Sequence, residues 1–391
     1  MKKIGIATVT YIDNFGSHLQ SYALQEVVKR LGYVPEVINI AGVKREIEKN
    51  RRRYILCTFF DIKEIRSYMY RLRSIIARKV NVKYKRNNLI RKRKYIQFAK
   101  NYNYSDTSYS WEEMSDMCRK QYESVIVGSD QNWRPANIAG GFYTLEFVPD
   151  DVNKIAYATS FGIANIKKNQ QKKTKFFLNR INYISVRENT GAAIVKGSIG
   201  RDINVVCDPT LLLSAEDWGA YCGDAPLIQG EYILCYFLGE NVKHREFVLK
   251  LKEETGYSVV AILHGAGYIK EKIKYYDEEV NDIGPFEFLN LIKYSSYVCT
   301  DSFHGCAFSM NFHKQFFAFE KFSSRDIMST NDRLYTMFEW AKIQDRIKRG
   351  DEEISEEISS LIDYSEVSKY IEEKRKESYD FLRCALQNGK C

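Results

Sequence analysis

The chain has 391 residues, 45% hydrophobic and 28% charged, with a formal net charge of +9. That length implies two domains of ordinary size, and that balance a globular chain rather than a disordered or fibrous one. No apolar run approaches the ~20 residues of a membrane span. Nine scattered cysteines with no C-x-x-C pair read as reduced thiols in a cytoplasmic protein, and five histidines without zinc-like spacing give no metal site.

Met1-Lys2-Lys3 before Ile4–Ile12 has the look of a signal peptide, but the run is short and lacks a small-residue cleavage site, so it reads as a first buried strand. Lys3–Thr10 is strand-like and runs into the polar turn Tyr11–Ser17. Leu19, Tyr22, Ala23, Val27, Val28 and Leu31 then recur at helical spacing up to Gly32, and Val34–Ile40 is a second strand. This β-turn-α-β opening predicts a doubly wound parallel sheet. The turn carries Asn14, Gly16, His18 and Gln20 towards the carboxyl edge. It has neither G-x-G-x-x-G nor a P-loop, so no dinucleotide is inferred.

Residues 44–94 differ from the rest. They hold 19 Lys/Arg against four acids, a net of +15 in a chain of +9, so everything else sums to −6. Aliphatic and aromatic residues from Ile55 to Ile76 lie among these charges, partly at helical spacing. Two readings stand level: a helical hairpin with solvated basic faces, or a surface for anionic lipid headgroups or a polyanion. No nucleic-acid motif accompanies the charge.

Further along, strands end repeatedly in polar turns. Tyr122–Val127 leads into Gly128-Ser129-Asp130-Gln131-Asn132, Lys154–Ser160 into Phe161-Gly162, Ile181–Val186 into Arg187-Glu188, and Val205–Cys207 into Asp208-Pro209-Thr210. Repetition of this kind implies one shared edge lined with polar side chains. Residues 214–231 read as a linker. A second α/β unit follows: a strand at Tyr232–Leu238, a helix at Val242–Thr255, a strand at Val259–Leu263 and a helix at Pro285–Lys293. The strand Tyr297–Cys299 comes next, then Thr300-Asp301-Ser302-Phe303-His304-Gly305, then a helix from Cys306. Gly305 permits a sharp turn, and a helix starting after it would aim free N–H groups at an anion. The charged, amphipathic tail from Glu352 to Asn388 is expected on the outside.

Taken together, Asn14–Leu24, Val127–Trp133, Ile155–Gly162, Ser185–Glu188, Asp208–Leu213, Thr300–Gly305 and Asn331–Leu334 resemble the polysaccharide pyruvyl transferase family, in the family's order. The basic insert and the tail are not part of the shared pattern, and Asp332 stands where Ser is commoner. The resemblance implies an α/β, GT-B-like fold, two Rossmann-like domains facing across a cleft, here with a basic helical insert and a C-terminal helical tail. The domains would be 1–213 (acceptor side, insert 44–94) and 232–345, with tail 346–391. It also implies transfer of pyruvate from phosphoenolpyruvate to two sugar hydroxyls, giving a cyclic ketal and phosphate, without cofactor or metal.

On that reading His304 is the acid–base residue. Arg187, Ser302, Phe303, Gly305 and Arg333 bind phosphoenolpyruvate, and Asn14, Gln20, Asp130 and Gln131 meet the acceptor. The expected partners are the donor, a sugar acceptor of the lipid-linked kind and an anionic inner membrane face. The competing expectations are a glycosyltransferase using a nucleotide sugar, separated by which leaving group is released, and a non-catalytic membrane-surface or polyanion-binding protein.

Overall fold

The computed structural model describes residues 3–57, 81–263, 273–321 and 331–389. The apolar positions of the insert between 58 and 80 lie outside the described residues.

Two six-stranded sheets organise the chain. The first is built from β1 (Lys3–Ala7), β2 (Pro35–Val37), β3 (Tyr122–Val127), β4 (Asn153–Ala156), β5 (Tyr183–Val186) and β6 (Asn204–Val205), in the order β2-β1-β3-β4-β5-β6. All its pairs are parallel, with Ile6 opposite Val37 on one side and Ile126 on the other. The second contains β7 (Tyr232–Tyr236), β8 (Ser258–Ile262), β9 (Glu278–Glu279), β10 (Tyr297–Thr300), β11 (Gln315–Phe319) and β12 (Ile347–Lys348), in the order β12-β11-β10-β7-β8-β9, again all parallel. Segments such as Tyr-Ile-Leu-Cys-Tyr in β7 are buried at every position, as a sheet covered on both faces by helices demands. Strand order reverses between β1 and β3 in one sheet and between β7 and β10 in the other. Open parallel sheets hold ligands beyond the carboxyl ends of strands at such points. The architecture is the expected α/β pair of Rossmann-like domains, of GT-B type.

One hydrophobic cluster runs through both halves, from Ile4, Leu19 and Ile126 to Leu234, Phe308 and Phe338. Phe15, at the start of the helix Phe15–Arg30, is the staple between them. Its ring stacks on Phe288 at 4.5 Å and meets the edge of Tyr236 at 5.8 Å. Polar ties back this up: Asn311 Nδ2 donates to the carbonyls of Thr210 and Leu213, and Thr190 donates to Asp332 through both its backbone N–H and its hydroxyl.

Two expectations change. The C-terminal helix Tyr364–Leu386 is not merely laid on the outside. It buries Val367, Ile371, Phe381, Leu382, Ala385 and Leu386 in the shared core, and Asn153 Nδ2 donates to Ala385 O while Tyr183 Oη donates to Gly389 O. Its charges fill the opposite face, which is why the pattern read as superficial. The thiols are not all reduced either: Cys57, Cys118, Cys207, Cys222, Cys235, Cys299 and Cys306 are free, but Cys384 is disulfide-bonded. Among the described residues no helix is long and apolar enough to cross a membrane.

The described part of the insert is two helices, Lys44–Cys57 and Val82–Ala99. The second is a strap across both domains rather than a free basic rod. Tyr95 stacks on Phe15, Phe98 packs against Phe286 at 5.0 Å, Lys94 pairs with Glu287 at 2.9 Å, and Lys83 pairs with Glu279. Its outer face is different. Val82, Leu89 and Ile96, seven residues apart, are 78%, 61% and 66% exposed, among exposed Lys85, Arg86, Lys92 and Arg93.

Candidate active site at the domain seam

The site forms where two helix starts meet. One is the helix Phe15–Arg30, after β1. Asn14 caps it, its Oδ1 accepting from Ser17 N at 3.0 Å. The other is the helix Phe303–Asn311, after β10, capped by Ser302, whose Oγ accepts from Gly305 N at 3.4 Å. The helix therefore begins two residues before Gly305, not after it. Gly305 serves close approach instead of a sharp turn: a Cβ there would lie 2.6 Å from Thr300 Oγ1. Across the seam Gly16 does the same for His304, because a Cβ on Gly16 would sit 1.9 Å from His304 Nδ1. Both helices point their positive ends at this contact, which favours negative charge there.

The first domain supplies the charged side chains. Arg187 follows β5, with only 1% of its side chain exposed. Its Nη1 donates to Asp208 Oδ2 at 2.6 Å, and its Nη2 reaches Asp130 Oδ1 at 3.4 Å. Its Nε is buried with no hydrogen-bond partner, 3.9 Å from Glu188 Oε2. The guanidinium lies on the Phe303 ring at 4.4 Å, and Arg333 approaches the same ring at 5.9 Å. Asp208 also accepts from Ser129 Oγ at 2.6 Å and faces His304 Nε2 at 3.7 Å. That separation is too long for a hydrogen bond, and His304 Nε2 is a buried nitrogen with no partner. So the imidazole of one domain and the guanidinium of the other converge on a single carboxylate.

Charge is finely balanced there. Burial alone would raise the Asp208 carboxyl, but His304, Arg187 and the Ser129 hydroxyl outweigh it and hold the group well below the usual carboxylate range. Asp130 likewise stays low: Arg187 first, then His304 and the Ser17 hydroxyl, overcome its burial. Glu188 goes the other way, pushed up by burial despite Arg187 and Arg333. The Arg333 guanidinium is pushed down by burial and by Arg187 beside it. Asp130 also holds a left-handed backbone, φ 74°, unusual outside glycine, and its Oδ2 accepts from Ser17 Oγ at 2.6 Å.

Of the residues expected at the site, His304, Phe303, Arg187, Arg333 and Asp130 come together. Ser302 and Gly305 build the helix start beneath them. Gln131 is half-buried against Gly162. Asn14 is spent on its cap. Gln20 is fully buried, its Nε2 2.7–2.9 Å from Thr8 Oγ1, Ser17 O and Ser21 Oγ and its Oε1 without a hydrogen bond, so it braces the first loop rather than standing open at the seam. Asp301 also belongs to the fold, its carboxylate accepting from Leu238 N and Gly239 N. Sequence reasoning missed Asp208, Ser129 and Ser17 as site residues. The polar turn after β6 signalled Asp208.

A family model described as polysaccharide pyruvyl transferase matches residues 14–320. No curated protein matches the chain. Among solved structures, UDP-GlcNAc 2-epimerase from Methanocaldococcus jannaschii, in complex with UDP-GlcNAc and UDP, is similar over 99% of both chains, at 12% identity and a TM-score of 0.49. The UDP-GlcNAc 2-epimerase from Neisseria meningitidis is similar over 99% of this chain and 98% of its own, at 10% identity and 0.47. MurG from Acinetobacter baumannii is similar over 99% of this chain and 100% of its own, at 7% identity and 0.45. At those scores none of the three bears on the chemistry.

Proposed function

We propose, from the premise that this chain belongs to the polysaccharide pyruvyl transferase family, that it moves pyruvate from phosphoenolpyruvate onto two hydroxyls of a glycan, forming a cyclic ketal and releasing phosphate. The observation that carries the reading is the buried His304 Nε2, free of any hydrogen bond, facing at the seam the Asp208 carboxylate that Arg187 holds. The donor is a phosphate and a carboxylate on one small alkene. Arg187 has an unused Nε and a weakly held Nη2, Arg333 lies on the same ring, and two helix starts point the same way. These suit a compact polyanion.

The proton balance assigns the imidazole its work. Two acceptor hydroxyls each lose a proton. One proton goes to the methylene carbon, making a methyl group, and one leaves with phosphate. The C–O bond to phosphate breaks, and two C–O bonds to the sugar form. His304 carries these protons, with the Asp208 carboxylate 3.7 Å from its Nε2. Asp130 and Gln131 serve the acceptor hydroxyls.

The acceptor is a cell-surface glycan precursor on a lipid carrier, met at the inner membrane face. The outer face of Val82–Ala99, three exposed aliphatics among cations, suits an anionic bilayer. Vesicles of anionic phospholipid should bind the protein and release it as salt rises. Absent or salt-insensitive binding removes the membrane clause. The chemistry itself is tested by incubating the protein with phosphoenolpyruvate and aryl or lipid-linked glycosides of galactose, glucose and N-acetylmannosamine, then weighing products. Gain of one pyruvate less one water, with phosphate released, is expected. Transfer of a sugar with nucleotide release from a nucleotide sugar would overturn it.

A further inference from the structure

Arg91 sits on the strap helix Val82–Ala99, one turn before Tyr95. Its guanidinium lies over the Phe15 ring at 4.8 Å and near the Tyr95 ring at 5.7 Å. Its Nη2 donates to Asp13 O at 3.5 Å, Tyr95 and Asp13 favour its charge, and its Nε is buried with no hydrogen-bond partner. No described carboxylate lies within ion-pair distance of it. The buried Arg187 and Arg346 each hold a carboxylate at 2.6 Å. An oxyanion reaching Arg91 would give it the charge-assisted pair that those two already have.

Its place says where such an oxyanion would stand. Phe15 is followed by Gly16, which touches His304, and the far side of Phe15 rests on Phe288 and Tyr236 of the second domain. Arg91 thus stands where the loop after β1, the strap and the end of β7 meet, beside the seam but outside the Arg187 cluster. Held against those rings, the planar guanidinium keeps its fork of N–H donors, which suits an oxyanion.

We propose that Arg91 is a subsite for an oxyanion on the acceptor, a phosphate linking the glycan to its carrier or a sugar carboxylate. The proposal deepens the reading above, and it gives the strap helix a role in choosing the acceptor.

The test compares wild type, Arg91→Gln and Arg91→Lys on three acceptors: a short-chain prenyl-diphosphate galactoside, a glucuronide and a neutral nitrophenyl galactoside. Acceptor binding is also measured by calorimetry without donor. Arg91→Gln should weaken one or both anionic acceptors by about 10- to 100-fold, the range of a charge-assisted contact. The neutral acceptor and the KM for phosphoenolpyruvate should hardly change, and Arg91→Lys should recover part of the loss. Whichever anionic acceptor responds identifies the source of the oxyanion. Equal effects on all three acceptors, no effect, or a raised KM for phosphoenolpyruvate alone would overturn the subsite. If Arg91-dependent binding persists but no acceptor supports phosphate release, the transferase reading fails and the subsite stands.

Discussion

His18 and His304 make an instructive pair. Each lies in the first turn of a helix that follows a central strand, and the two helices meet at the same seam. His18 is consumed by the fold: Nε2 donates to Ile12 O at 3.1 Å and the Tyr102 hydroxyl lies 3.1 Å from Nδ1. Tyr95 and Phe98 pack edge-on against its ring, and burial pushes its pKa down to about 4. His304 keeps Nε2 unbonded beside Asp208 and Arg187. Position at the edge of a sheet does not make a histidine functional. What separates the two is whether the fold has already used the imidazole nitrogens.

Gly16→Ala should disturb the contrast most among substitutions that touch neither histidine. The added methyl would stand 1.9 Å from the His304 ring, so the ring must move. A displacement of that order costs about 100-fold in turnover with the fold kept. Turnover close to wild type would show that the ring's position is not critical.

A smaller, opposite effect is expected at the other histidine. His18→Ala removes a buried ring and leaves the Ile12 carbonyl without its imidazole donor, though Tyr102 keeps its bond to the residue-18 carbonyl; it should cost about 2 to 4 kcal/mol of stability, while turnover per folded molecule barely changes. Denaturant unfolding and kinetics on the same sample check this. Lost turnover with unchanged stability would reverse the assignment.

Acid sharpens the comparison further. The unfolded His18 takes up a proton near pH 6.5, but the folded one only near 4. Between those values the unfolded chain binds more protons, so stability should fall as pH falls, by about 1.4 kcal/mol per pH unit. His244, pushed down to about 3 by burial and by Arg245, adds to the same trend. His18→Ala should flatten the slope measurably. An unchanged slope would mean that His18 does not stay neutral.

Much of the scaffold was legible because strand ends and polar turns are local signals. Tyr122–Val127 and Val242–Thr255 fall where hydrophobic runs and periodicity put them. The helix at Phe303 was read three residues late, since Gly305 looked like a turn although Thr300 packs against its bare Cα. Gln20 looked like a ligand residue because a polar side chain near a sheet edge has the same local signature whether it faces inward or out. Asp208 was visible as a turn, but its convergence with Arg187 and His304 spans long stretches of chain and both domains. Arg91 was one cation among 19 in its segment, and only the packing of Tyr95 on Phe15 sets it apart.

The most direct test is phosphate release from phosphoenolpyruvate in the presence of an aryl galactoside, measured for wild type and His304→Ala with thermal melting alongside. The account predicts acceptor-dependent release and a ketal product for wild type. It predicts a loss of about 10²- to 10⁴-fold in the variant, with the melting temperature unchanged. Near-normal release by His304→Ala would contradict it.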